Sequence, residues 1–292
     1  MKIAAIDIGS NAARMQISSI LHDEGKIVFK KVEYIRYALR LGHDVFSQGY
    51  IGNHSEAKLK KLLFICKHLM ELHDVEAHLI CATSALRESS NGVEIAERVF
   101  LELGLKINLI SGEKEAEMIN NVIVNELKAD KSYLHIDVGG GSTELNLYKK
   151  KKKIASQSFK IGSVRLMEGK VNPEIWRKVK LWIQDYVPNE EGIIAVGTGG
   201  NISKLFEFVE IDETGKASLA DLIKTREYLA KYTTDEKINK LKMNHDRADV
   251  LDHASEIYLS VMEWANATSM FVPDLGLKDG IILEVYNNLK TE

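Results

Sequence analysis

The chain carries one short pattern twice. Residues 3 to 11 read IAAIDIGSN and residues 133 to 141 read YLHIDVGGG, so at an offset of 130 Ile6, Asp7 and Gly9 fall on Ile136, Asp137 and Gly139. The surroundings repeat as well. Each stretch is a hydrophobic run closed by an aspartate and a small-residue turn. A second run follows (ARMQISSI; TELNLY), then a charged turn (HDEGK; KKKKK) and a third run (IVFKKVEYI; IASQSFKIG). Short apolar runs bounded by such turns read as strands. Two meanders sharing one Asp-x-Gly turn predict a duplicated domain.

Between the meanders the periodicity changes. Helical spacing runs over 55–72, with Ser55 as N-cap, over 91–103, closed by Gly104, and over 112–127. Short strands are predicted at 77–82 and 106–110. The second half gives a helix over 172–187, with Asn172 as cap and Pro173 in its first turn, and a strand over 192–201 that ends in glycines. Beyond it the pattern is mostly helical. Strands alternating with helices predict an α/β fold with mixed sheets in each half. The border is placed at 127, giving domains 1–127 and 128–292, with the last helix free to pack back on the first. At 292 residues and 45% hydrophobic content, both halves can bury a core.

A net charge of −3 excludes a nucleic-acid binder held by bulk electrostatics. No apolar run reaches membrane-spanning length, and the opening MKIAAIDIG lacks a signal-peptide core, so a soluble cytoplasmic protein with no membrane partner is expected. Cys66 lies on a helical apolar stripe and Cys81 ends a strand, outside any metal or redox spacing, so both read as buried free thiols. The lysines at 149–153 read as a solvated hairpin tip. His245-Asp246 lacks the further ligands of a metal-dependent HD phosphohydrolase.

In open α/β sheets ligands bind beyond the carboxyl ends of strands, and every unusual turn here lies at such an end. These are Gly9-Ser10-Asn11, Thr83 to Arg87, Ser111 to Glu115, Gly139-Gly140-Gly141-Ser142 with Thr143, and Gly197 to Asn201, which contains Gly199 and Gly200. Glycine turns bring backbone N–H groups close to an anion, and hydroxyls at Ser10, Ser142 and Thr143 add donors. Asp7 and Asp137 stand just before two of these turns, where they would hold a hydrated Mg²⁺, with Mn²⁺ as a substitute. Together the turns predict a phosphate clamp facing one interdomain cleft.

Seven segments in order, AAIDIGSNAARMQI, TSALRES, ISGEKEAE, HIDVGGGSTEL, GSVRLME, VGTGGN and DRADVL, resemble the exopolyphosphatase and guanosine pentaphosphate phosphohydrolase family. That family belongs to the actin-like ATPase superfamily of duplicated ribonuclease-H-like domains, and the resemblance is to its short two-domain type. It implies hydrolysis that releases terminal orthophosphate from inorganic polyphosphate or pppGpp. It also implies Glu115 as the base that activates water, with Arg87 and Glu144 in catalytic support. Two departures bear on substrate choice: Ala12 stands where the family commonly has a hydroxyl, and Lys278-Asp279 where it has Arg-Glu. The alternatives are a non-catalytic sensor of (p)ppGpp or polyphosphate, and an actin-like ATPase or kinase. The apolar series over 247–271 reads as core or as the contact of a homodimer.

Overall fold

A computed structural model describes residues 1–23, 26–187 and 192–291. In chain order the elements of the first half are β1 (Lys2–Ile8), β2 (Ala13–Asp23), β3 (Lys26–Tyr37), α1 (Leu41–Gln48), α2 (Asn53–Leu72), β4 (Ala77–Ala82), α3 (Ser84–Glu88), α4 (Gly92–Leu103), β5 (Ile107–Leu109) and α5 (Gly112–Ile123). The second half contains β6 (Ser132–Val138), β7 (Thr143–Lys149), β8 (Lys152–Phe159), α6 (Ser163–Met167), α7 (Pro173–Tyr186), β9 (Ile194–Thr198), α8 (Gly200–Phe206), β10 (Lys216–Ser218), α9 (Leu219–Leu229), α10 (Thr234–Asn239), α11 (His245–Ala248), α12 (Leu251–Trp264), β11 (Ser269–Phe271) and α13 (Leu277–Thr291).

The chain forms two compact units. The first holds Met1–Val122 with Gly276–Glu292, and the second holds Ile123–Leu275. Residues 276–292 therefore lie with the first unit. Gly280 lets α13 into that unit: a Cβ there would stand 2.4 Å from the carbonyl oxygen of Met118 on α5.

Each unit is built on a mixed sheet, ordered β3-β2-β1-β4-β5 in the first and β10-β11-β9-β6-β7-β8 in the second. The two meanders match in detail. Both break register at the same place, between Ile17 and Ser18 and between Leu147 and Tyr148, where Val32 and Ile154 are the extra residues. The break points on β2 and β7 thus keep the offset of 130 seen in the sequence. A bulge re-aims a strand and is difficult to produce twice by accident. The tip of the second hairpin is a two-residue turn, Lys150-Lys151, with both residues at positive φ (52° and 61°).

Local signals placed most elements. Asn172 Oδ1 accepts the Glu174 N–H at 2.9 Å, and Gly104 closes α4 at φ 72°. Ser55 does not cap α2, which starts at Asn53 after Gly52. The stretch after residue 201 holds two strands, β10 and β11, each three residues long, too short for alternation to show. The apolar series around α12 is core: Leu251, Ala254, Ile257, Tyr258, Val261 and Met262 are all buried in the second unit. That removes the reason it offered for a homodimer. Cys66 and Cys81 are buried free thiols. Among the described residues no helix is long and apolar enough to cross a membrane.

Candidate active site

In the first unit β1 delivers a buried Asp7 to the carboxyl end of the sheet. The turn after it closes through Gly9 N–H to the Ala12 carbonyl at 3.1 Å. Residues 40–42 pin this turn from behind. Arg40 N–H donates to the Asn11 carbonyl at 2.8 Å, and Gly42 N–H donates to that of Ser10 at 2.7 Å. Only glycine fits at 42, because a Cβ would come within 2.9 Å of the Ser10 Cβ. Arg40 itself takes a left-handed conformation (φ 57°). The hydroxyl of Ser10 is buried and shared with that of Ser84 at 2.8 Å, so it faces inward where the sequence suggested a phosphate donor.

Arg87 and Glu115 lie on neighbouring elements of the same unit. Arg87 Nη1 donates to the Ile110 carbonyl at 2.6 Å, which ties α3 to the loop that opens α5. Glu115 sits half-buried in the first turn of α5. Its position is also felt through Cys81, the cross-strand neighbour of Asp7. Burial, then the charges of Asp7, Glu284 and Glu115, push that thiol up to about 12. Asp7, Glu284 and Glu115 thus all lie within electrostatic range of Cys81.

The second unit repeats the turn. Gly139 N–H closes on the Ser142 carbonyl at 2.9 Å, the counterpart of the bond from Gly9. The glycine run accommodates the segment 162–165. Ser163 N–H donates to the Gly139 carbonyl at 3.0 Å, and Val164 and Arg165 N–H both donate to that of Gly140 at 2.9 Å. Arg165 Nε takes the Gly141 carbonyl at 2.8 Å. With all three carbonyls engaged on one side, the approach is so close that a Cβ on Gly162 would lie 2.5 Å from the Gly141 nitrogen. Thr143 differs from expectation. Its buried hydroxyl donates to the Ile161 carbonyl at 2.7 Å and so braces the turn instead of facing a ligand.

The turn after β9 stands beside Asp137. Gly199 sits at φ 100°, and a Cβ there would be 3.1 Å from Asp137 Oδ1. Gly200 is covered by the Arg247 guanidinium, whose Nη2 would be 2.0 Å from a Cβ. Arg247 Nη1 also donates to Asn201 Oδ1 at 2.8 Å, and Asn201 Nδ2 donates to Ser163 Oγ at 3.1 Å. Asn201 thus links the two glycine turns. Arg247 and Ser163 lie within recognisable motifs, but nothing in the sequence says that they meet.

The units differ at the residue across from each aspartate. Register places Arg14 opposite Asp7 and Glu144 opposite Asp137, and the offset of 130 makes Arg14 and Glu144 equivalents. Arg14 Nη1 lies 2.7 Å from Asp7 Oδ2. Burial raises the Asp7 carboxyl, and the Arg14 charge opposes that rise. In the second unit two carboxylates face each other, Asp137 at 9% exposure and Glu144 at 1%, with Ser158 Oγ–H donating to Glu144 at 2.8 Å. A pair of buried carboxylates offers the oxygen donors that suit a hard divalent cation, and Asp7 Oδ2 is held by a guanidinium. Among the described residues no three His, Cys, Asp or Glu side chains cluster as a closed metal cage.

The chain is similar to known proteins over most of its length. The model of the Ppx/GppA phosphatase family matches residues 20–289. The chain is 28% identical to a bifunctional 3-dehydroquinate synthase/phosphatase of Fusobacterium nucleatum over 98% of its own length and 46% of the relative's. It is 26% identical to exopolyphosphatase 2 of Mycobacterium tuberculosis over 97% of this chain and 98% of that one. It spans only 46% to 60% of the length of the first curated relatives it matches. Among solved structures, an Aquifex aeolicus Ppx/GppA family member superposes with a TM-score of 0.74 at 25% identity, covering 100% of this chain and 99% of the other.

Proposed function

The chain belongs to the Ppx/GppA phosphatase family, and on that footing we propose that it is a metal-dependent hydrolase releasing terminal orthophosphate from polyphosphate or pppGpp. The observation that carries the reading is the Asp137–Glu144 pair, buried at the mouth of the Gly139–Ser142 turn. Two carboxylates side by side at the end of a strand supply the oxygen donors that a hard divalent cation prefers. Asp137 and Glu144 would hold Mg²⁺ or Mn²⁺, which when bound supplies positive charge against a phosphoryl group.

The chain's own groups supply the remainder. The backbone N–H groups of Ser10–Asn11 in the first unit and of Gly140–Ser142 in the second bind phosphoryl oxygens, and Arg87 and the turn Gly199–Asn201 add donors. Glu115 takes the proton of the attacking water on its carboxylate. The water oxygen bonds to the terminal phosphorus as the bridging P–O bond breaks, and the shortened chain leaves with the electron pair. A carboxylate at a helix N-terminus is a weak base, so most of the acceleration comes from charge placed around the transferring group. Two buried reduced thiols support a cytoplasmic location.

The test is phosphate release measured side by side on polyphosphate, pppGpp and ATP with Mg²⁺. Release from either of the first two is expected. Release from ATP alone would place the protein among the superfamily's ATPases, and binding without release would make it a sensor.

A further inference from the structure

Thr198, the last residue of β9, is held at both of its oxygens. Its carbonyl accepts the Tyr258 hydroxyl from α12, and that same hydroxyl accepts the Val138 N–H at 3.1 Å. Its own hydroxyl meets His135 Nε2 at 2.8 Å. The direction of this last bond is set two strands away. Ser156 Oγ–H donates to Asn146 Oδ1 at 2.7 Å, which turns Asn146 Nδ2 onto His135 Nδ1 at 3.1 Å. Nδ1 therefore accepts, and Nε2 carries the ring's one proton and gives it to Thr198. Burial keeps the ring neutral by pushing its pKa down to about 3.

This chain of bonds runs across β8, β7, β6 and β9, with His135, Asn146 and Thr198 all at 0% exposure. Its effect is visible at the strand ends. In the first unit the pairing of β1 with β4 continues to Ile8 and Ala82, and Thr83 N–H then bonds directly to the Ile8 carbonyl at 3.1 Å. In the second unit the pairing of β6 with β9 stops one position earlier, at Asp137 and Thr198. There the Tyr258 hydroxyl is interposed between Val138 and Thr198. The two strands are thus spaced by a side-chain oxygen where both glycine turns begin.

We propose that His135 and Tyr258 are positioning residues that fix the end of β9, and so set the distance of the Gly199–Asn201 turn from Asp137. The inference rests on the reading of that turn as part of the phosphate site. Neither residue touches substrate. Both act through Thr198.

Two substitutions at one position separate this role from simple packing. His135→Gln brings an amide N–H to the place of Nε2 and keeps the donor to Thr198. His135→Asn reaches only as far as Nδ1, keeping the Asn146 contact and losing the Thr198 one. The expected result is that His135→Asn and Tyr258→Phe raise KM about tenfold with kcat changed less than about twofold, while His135→Gln restores KM to within about twofold. Thr198→Val should reproduce His135→Asn, and the double variant should be no worse than either alone. Tyr148→Phe, on the same face and as deeply buried, should leave KM unchanged.

Equal KM for the Gln and Asn variants, or additive effects in the double variant, would overturn the proposal. A parallel calorimetric titration with inorganic pyrophosphate keeps the inference separate from the activity. If the wild type binds pyrophosphate but hydrolyses nothing, the reading as a hydrolase fails. The same ordering of affinities among the variants would still support the positioning role, and equal affinities would refute it. A wild type that binds no pyrophosphate refutes both.

Discussion

His135 should make the second unit acid-labile by an amount that follows from its burial. The ring is held neutral, with a folded-state pKa of about 3 against an ordinary 6.5. A group whose folded pKa is depressed leaves stability intact above its unfolded pKa and removes it as pH falls toward the folded value. The window therefore opens near pH 6.5 and runs down to about 3. At pH 5 the unfolded ring is mostly protonated and the native ring is not, which costs the native state about 2 kcal/mol relative to pH 7.5. All three tryptophans, Trp176, Trp182 and Trp264, lie in the second unit, so their fluorescence follows its unfolding alone. Urea unfolding of the wild type and His135→Asn in chelator at pH 7.5 and pH 5 gives the comparison. Taking the difference between the two proteins cancels every other titrating group. That difference should change by about 2 kcal/mol between the two pH values, with the wild type losing more. A difference that stays constant would mean that His135 is not held neutral, and the bond direction derived for Thr198 would fall with it.

Glu115→Gln should lower turnover at least about a hundredfold with substrate affinity little changed, since only a proton acceptor is removed; steady-state phosphate release checks it. Gly162→Ala should abolish activity and cost about 1–3 kcal/mol, because its Cβ would meet the Gly140 and Gly141 backbone at 2.5–2.6 Å, where nothing flexible can yield; activity and a urea midpoint read both. Replacing Lys150-Lys151 by Asn-Gly should stabilise the second unit by about 1 kcal/mol, since both positions sit at positive φ; the tryptophan signal again reports it. Chelation of divalent cations should remove phosphate release and addition of Mg²⁺ restore it, with Asp137→Asn raising the Mg²⁺ requirement more than Asp7→Asn.

The turns of the candidate site were readable because their signals are local. Asp7 and Asp137 precede glycine turns that a chain can form only with small residues, and the duplicated meanders announced the strands around them. The partners of those aspartates were less visible. Arg14 and Glu144 each stand seven residues past their aspartate, but only hairpin register makes them neighbours. Ser10 and Thr143 look like ligand donors in sequence, and packing turned both hydroxyls to protein partners. Tyr258 and Arg247 reach the second unit's turns from helices more than forty residues further on, and no periodicity carries that information.

What the sequence determined alone was the repeated strand-turn-strand framework and the places where backbone must run close to something else. Both depend on residues adjacent in the chain, through glycine's missing Cβ and the alternation of strand faces. Tertiary structure decided which charge faces each aspartate, which hydroxyls remain available, and where the last helix lies. Those outcomes depend on contacts between residues distant in sequence, and Gly280 against Met118 shows how one missing methyl group lets such a contact form.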